Sequence, residues 1–291
     1  MKTTQNNIER KTNACSFSKP SYKLWNMTSS QGLMFFRSIL ECSGIDDTDH
    51  LLKIAKQTID HLKNPKDKRN KSKELEVLML DWYDCLSSGS PAYEIYSKKE
   101  YLSEVWACWL VYSRKYIKEI ASPTVCIPRG IFGEINKGSI IADLGNGIGI
   151  TSAAFKQAFP DASVIGTNII ASDQWRVASF LSNEYDFGLV ESAADIATNV
   201  DVAFASEYFE HFEDPIDHLN DIFKAIKPKR MIIANAFTAK AIGHFDVYKR
   251  NNVKIKSTSM GSFFSRAMKD LGYSQLNTGL WNNRPQTWIL N

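Results

Sequence analysis

No apolar run in this 291-residue chain approaches the eighteen or so residues that a membrane-spanning helix needs, which argues against a helical span. The polar opening MKTTQNNIERK has no apolar core of the kind a secretory signal carries, so a cytoplasmic location is expected. Cysteine is scarce. Cys15, Cys42, Cys85, Cys108 and Cys126 are odd in number, scattered and never spaced as C-x-x-C, and they read as buried or free thiols rather than disulfides or zinc ligands. Charge of one sign is also in short supply: the net +3 is too small to demand a polyanionic partner.

Apolar residues make up 44% of the chain, enough for a packed interior, and the length suits one large domain or a core domain with an appendage. Residues 1-28 are polar with scattered aromatics and read as partly disordered or draped over the surface. Residues 30-122 carry helical periodicity, within a helical region delimited as 29-130, and helices are predicted at 31-43, 48-63, 72-87 and 92-121. In the last, Tyr101, Val105, Trp106, Trp109, Leu110 and Tyr116 form a broad apolar stripe, read as helix-packing core rather than a substrate box. The basic run KNPKDKRNKSK, residues 63-73, reads as a solvated loop.

Beyond a linker containing Pro123, Pro128 and Gly130 the pattern changes. Strands are predicted at 139-144, 162-167, 187-191, 200-205 and 231-236, and helices at 151-159, 172-183, 215-226 and 259-271. Such alternation requires a mostly parallel sheet with right-handed crossovers, so the fold class is α/β, with residues 131-291 as the sheet domain. The tail GYSQLNTGLWNNRPQTWIL, turning at Asn282 to Pro285, reads as two antiparallel strands closing one edge.

The chemistry concentrates at residues 139-149, SIIADLGNGIG, where an apolar run ends in Asp143 and is followed by Gly145, Gly147 and Gly149 at alternate positions. Side chains at those positions would block a ligand's approach to the backbone, and ligands in open α/β sheets bind outside the carboxyl ends of the strands. The competing reading is a tight strand-to-helix turn with no ligand. The repeat is not the dinucleotide fingerprint G-x-G-x-x-G, because the acid precedes the glycines and no basic residue lies near the turn.

The D-x-G-x-G-x-G pattern resembles motif I of class I S-adenosylmethionine-dependent methyltransferases. Residues 200-215, VDVAFASEYFEHFEDP, followed by IDHLNDIFKAIKP and MIIANAF, resemble the fourth strand, helix and fifth strand of the same superfamily. The two blocks stand about fifty residues apart in the expected order, and the resemblance covers roughly residues 138-291. It implies a Rossmann-like seven-stranded methyltransferase sheet, S-adenosylmethionine as cofactor, and an N-terminal helical region that caps the substrate side. By the same resemblance Asp143 accepts hydrogen bonds near the cofactor's amino group, directly or through water, while Gly145, Gly147 and Gly149 admit its methionine portion, and Ser206 lines the methyl-transfer centre. Asn168 stands where the family usually has an acid for both ribose hydroxyls. An amide can accept from one hydroxyl and donate to the other, but the charge-assisted part is lost, at a cost on the order of 1 kcal/mol.

Glu207, Glu210 and His211, at i, i+3 and i+4, would share one face if residues 207-211 made a single helical turn. Two carboxylates about 4 Å apart repel by about 4 kcal/mol at an effective dielectric near 20, which a divalent cation would offset. The mixed Glu and His set suits Mg, Mn, Fe or Zn. The E-x-x-E-H arrangement resembles the metal-binding element of small-RNA 2'-O-methyltransferases and of quinone-precursor O-methyltransferases. In the first group a further histidine beyond the fifth strand completes the set, and His244 is the available counterpart, with Asp246 as a further ligand or an acid that orients it. The alternative is an E-H pair with no metal, in which His211 packs or bonds backbone, or in which His211 or His244 acts as general base.

The expected activity is O-methylation of a hydroxyl on a small molecule. No Pro-Pro-aromatic signature of amino-DNA methyltransferases follows the fourth strand, where SEYF stands, and there is no Pro-Cys nucleophile of the cytosine-C5 kind. RNA ribose methylation is the alternative, with Arg250, Lys254, Lys256 and the basic run as the only cationic concentration. A non-catalytic binding or scaffold protein of the same fold is a further alternative, prompted by Asn168 and by the aromatic helical region.

Overall fold

The computed structural model describes residues 16–66, 71–121, 135, 137–278 and 285–291. The linker with Pro123, Pro128 and Gly130, the middle of the basic run, Cys15, Cys126 and the tail turn from Asn282 lie outside the described residues.

Three helices of the N-terminal region fall within two residues of their predicted bounds: α1 (Ser29–Cys42), α2 (Thr48–Lys63) and α3 (Lys73–Ser87). Local signals fix two of their starts. Thr28 and Gln31 form a reciprocal capping box on α1, and the Ser72 hydroxyl accepts from Leu75 N–H at the start of α3. The single helix predicted for 92-121 is instead four pieces: a 3-10 helix (Tyr93–Ser97), α4 (Lys99–Cys108), a π-helical turn (Trp109–Ser113) and α5 (Arg114–Ala121). The aromatic stripe runs through all of them, so periodicity does not register the breaks. The wide π turn keeps Trp106 and Leu110 fully buried while Ser113 reaches the end of a sheet strand. Trp106 stacks on Phe36 of α1 with ring centroids 4.9 Å apart, which locks α4 into the helical layer.

The larger sheet has seven strands in the order β3-β2-β1-β4-β5-β9-β8. β1 (Ile140–Leu144), β2 (Ser163–Thr167), β3 (Gly188–Val190), β4 (Val202–Ser206) and β5 (Arg230–Ala234) are parallel, whereas β9 (Gln286–Leu290) runs antiparallel between β5 and β8 (Tyr273–Leu276). The central strands are apolar along nearly their whole length because both faces are covered. The crossover helices are α6 (Ile150–Ala158), α7 (Asp173–Tyr185) and α8 (Pro215–Ile226), with α9 (Ser257–Asp270) ahead of β8. α8 matches its predicted span because Asp214 caps it and Pro215 occupies its first turn. Phe155 and Phe204 meet edge to face in one core cluster; Met231, Phe264 and Trp288 belong to the other.

Three further features bear on the sequence reading. A hairpin of β6 (Val247–Arg250) and β7 (Val253–Lys256) was not foreseen; it turns through Asn251 and Asn252 at φ 48° and 65°, the left-handed pair that a two-residue hairpin loop requires. In the polar N-terminal stretch, residues 16–28 are anchored: Leu24 and Met27 are buried, and Leu24 N–H donates to Gln157 Oε1 at 2.8 Å. Cys42 is disulfide-bonded, correcting the expectation of thiols, since pairing in space leaves no mark on sequence spacing; Cys85 and Cys108 are free. No helix among the described residues is long and apolar enough to cross a membrane.

Candidate functional site

A cavity of about 540 Å³ opens at the carboxyl ends of β1, β2 and β4, between the sheet and the face of α4. Asp143, Gly145, Gly147, Asn168, Ser206, Glu207, His211 and His244 all line it; Glu210 and Gly149 do not. The residues selected from the sequence therefore converge on one place, although they come from four separate segments.

At one end of the cavity is the turn after β1. Gly145, Gly147 and Gly149 have φ of 63°, 55° and 82°, a region in which a side chain is strained. Gly149 also precedes α6 directly, where a Cβ would lie 3.0 Å from Ala178 Cα, so its role is helix packing as well. Asp143 is buried and accepts from Ser152 Oγ at 2.7 Å; burial pushes its carboxyl up to about 7. The turn is covered by side chains. A Cβ on Gly145 would overlap the Tyr208 ring, and one on Gly147 would lie 2.7 Å from Val105 Cγ1. Tyr208 is held there by its hydroxyl, 2.8 Å from His218 Nε2. Asn168 turns inward, its amide donating to the Gly147 carbonyl while its Oδ1 accepts from Ile169 N–H at 2.8 Å. Half of the amide's hydrogen-bonding capacity, one N–H and one oxygen lone pair, is thus used within the protein.

At the other end is the acidic group. β4 ends at Ser206, Glu207 takes a left-handed φ of 51°, and a 3-10 turn (Phe209–His211) follows. The single helical turn predicted over 207-211 does not form, because the left-handed Glu207 interrupts it. The consequence is a different grouping: Glu207 and Glu210 gather with His244, their candidate ligand atoms all within 4.8 Å of one another, and His211 stands outside that set. Glu210 is fully buried; its Oε1 accepts from Ala236 N–H at 2.6 Å, and its Oε2 has no hydrogen-bond partner. Burial, and then the neighbouring Glu207 charge, hold this carboxyl well above the usual range. Burial likewise keeps His244 neutral, at about 4. Its Nδ1 lies 3.0 Å from the Ala239 carbonyl, which can only accept, so the neutral ring carries its proton there and keeps a lone pair at Nε2.

His211 has its own surroundings. Its Nδ1 is 3.0 Å from the Tyr96 hydroxyl and its ring meets His244 edge to face, centroids 4.9 Å apart. Burial, then His244, hold its pKa well below the ordinary imidazole value. Ser206 Oγ is 3.2 Å from Ser113 Oγ, which ties β4 to the π turn. Asp246 is largely exposed, lies 3.9 Å from Lys240 Nζ, and is not one of the gathered ligand candidates.

Sequence reasoning passed over the contributions of the helical layer. Glu104 projects from α4 into the cavity, its Oε2 buried and without a hydrogen-bond partner; burial, then Glu207, push the carboxyl up to about 8. Tyr96, Tyr101 and Trp109 line the cavity as well as packing, so the aromatic stripe serves both purposes. The available signal was Tyr101, Glu104 and Cys108 at i, i+3 and i+7, an acid in the middle of an otherwise apolar helix face.

No protein-family model and no curated protein sequence matches the chain. Among solved structures it is similar to an O-methyltransferase family protein from Burkholderia thailandensis, at 13% identity over 74% of this chain and 69% of that one, with a TM-score of 0.48. It is also similar to mitomycin 7-O-methyltransferase, at 12% identity over 91% of this chain and 73% of that one, TM-score 0.49. A third is the magnesium protoporphyrin IX methyltransferase from Synechocystis with bound S-adenosylhomocysteine, at 16% identity over 64% and 87%, TM-score 0.42. On its own strand order, with one antiparallel strand inserted beside β5, this chain has a Rossmann-like α/β fold with a seven-stranded, mostly parallel sheet.

Proposed function

We propose that this protein is an S-adenosylmethionine-dependent methyltransferase acting on a hydroxyl oxygen of a small molecule, with a divalent cation held by Glu207, Glu210 and His244. The observation that carries the proposal is the single cavity joining the glycine turn to that group, at the strand ends where such sheets take ligands. The donor set fits a cation: two carboxylates, one with an orphaned buried oxygen, and an imidazole whose proton is held on the far nitrogen by a backbone carbonyl. The glycine turn fits the cofactor's methionine portion in backbone shape, provided the Tyr208 ring gives way above Gly145.

The cofactor supplies an electrophilic methyl group, and a divalent ion supplies Lewis acidity that makes a hydroxyl more acidic. The chain's own residues orient and shield. Ser206 and Ser113 set the floor between the two ends, and Tyr96 fixes the His211 ring. His211 is neutral at working pH; in the metal-free alternative it or His244 takes the hydroxyl proton. Among the described residues lining the cavity there is no lysine or arginine, which favours a small acceptor over an RNA ribose flanked by phosphates.

One observation favours a second reading, a non-catalytic protein of the same fold: Tyr208 covers Gly145 and Asn168 is bonded inward. Calorimetry with S-adenosylhomocysteine decides between them. Binding at micromolar concentration is the expected result; no heat at millimolar ligand would leave only the second reading. Activity unchanged in excess EDTA would remove the cation.

A further inference from the structure

The glycine turn and the Glu207, Glu210 and His244 group leave one wall of the cavity unassigned, the face of α4 and its π turn. Glu104 stands in the middle of that wall. It is not within the distances that gather the three candidate ligands, so a cation held there would not neutralise it directly. Its Oε2 is buried and unpartnered. A protonated carboxyl would still need an acceptor for its O–H, and an ionised one would need a donor; neither is provided by the protein. Tyr101 stands one helical turn before it on the same face, Trp109 lines the cavity beyond, and Tyr96 meets Tyr101 edge to face with centroids 5.3 Å apart.

Carboxyl oxygen and aromatic rings together define a ligand class. A hard divalent ion needs several oxygen ligands, which this wall lacks. An anionic group would find no lysine or arginine among the described cavity-lining residues. An organic cation finds both π faces and a carboxyl oxygen that can accept its N–H, the cation's own charge favouring the ionised acid. We propose that the α4 wall centred on Glu104, with Tyr101 and Trp109 beside it, is the acceptor subsite, and that it takes a molecule carrying a protonated amine. The word acceptor rests on the methyltransferase reading; the cation site stands without it.

The test is a charge series on one phenol scaffold: tyramine, its neutral analogue tyrosol, and 4-hydroxyphenylacetate, titrated by calorimetry at neutral pH into the full chain, with S-adenosylhomocysteine affinity measured separately. The expected result is tyramine binding roughly ten-fold tighter than tyrosol, on the scale of one charge-assisted hydrogen bond, with the carboxylate weakest. Glu104→Gln, checked for fold by circular dichroism, is expected to erase the tyramine advantage. Tyramine binding no tighter than tyrosol, or no tyramine binding at about 10 mM, would overturn the proposal. So would an advantage that survives in Glu104→Gln. If that variant does not fold, the wild-type ratio alone decides. An intact charge series in a protein that ignores S-adenosylhomocysteine supports the cation site and removes only the methyltransferase reading.

Discussion

The two ends of the cavity differ in how far their polar groups are satisfied, and in whether those left over are acids. At the glycine turn most groups are engaged inside the protein, Asp143 by Ser152, Asn168 by Gly147 and Ile169, and the space above Gly145 by Tyr208, and among the described residues there only the neutral amide oxygen of Asn146 is buried without a partner. At the acidic end, Glu104 and Glu210 each keep a buried oxygen with no partner. A site that is internally satisfied accepts a ligand only by exchanging contacts, so its affinity is set by what must first be displaced. A site with orphaned acceptors gains from a cation without giving anything up. The difference teaches that the acidic end is the stronger indication of a bound partner here, although the glycine pattern is the more conspicuous in the sequence.

That contrast can be broken most forcefully at Gly147. Valine there must adopt φ near 55° and meet Val105, so cofactor affinity is expected to fall by more than about a hundred-fold, the scale of a strained backbone plus a blocked approach, with the fold retained. Isothermal titration with S-adenosylhomocysteine reads it, and undiminished affinity would mean that the turn does not face the cofactor. Next in size, Glu210→Gln should weaken Mn binding by roughly fifty-fold, since one charged ligand is lost, while the melting temperature in EDTA does not drop because the buried acid is uncompensated without a cation. Mn binding equal to wild type would dissolve the assigned ligand set.

Titration sharpens the same contrast. Glu104 moves from an ordinary value of 4.5 to about 8 on folding, so between those values the folded chain holds a proton that the unfolded chain has lost. Metal-free stability is therefore expected to fall as pH rises through that window, by up to about 1.4 kcal/mol per unit, and Glu104→Gln should flatten the slope in urea titrations. His244 acts in the reverse sense below the ordinary imidazole range: with a folded value of about 4, it costs stability as pH falls from 6.5. Smallest of all, Tyr208→Ala should tighten S-adenosylhomocysteine about three-fold by removing the ring above Gly145. Weaker binding in that variant would show the ring to be a platform for the cofactor rather than a cover.

Much of the sheet was legible because local signals and global fold agree. The strand-turn-helix of β1 and the capped α8, with Asp214 and Pro215 in sequence, are examples. The breaks in 92-121 were not, since a π turn preserves an apolar stripe while changing which residues face the sheet. The β6-β7 hairpin carried a signal, Asn-Asn between alternating VYKR and VKIK, that competed with no other element and was still passed over. In the candidate site, glycines and acids could be picked out by type, but their partners could not. That His244 rather than His211 meets Glu207 and Glu210 depends on the left-handed Glu207, and that Glu104 faces them depends on packing between layers more than ninety residues apart in sequence.

The indole N–H of Trp82, on α3, donates to the main-chain oxygen of His244 at 2.7 Å. The loop bearing that imidazole is thus moored to a helix from the opposite half of the chain. A chimera that grafts the strands and crossovers onto a foreign N-terminal region would inherit the histidine but not its anchorage, so the minimal transplantable unit of this pocket includes α3.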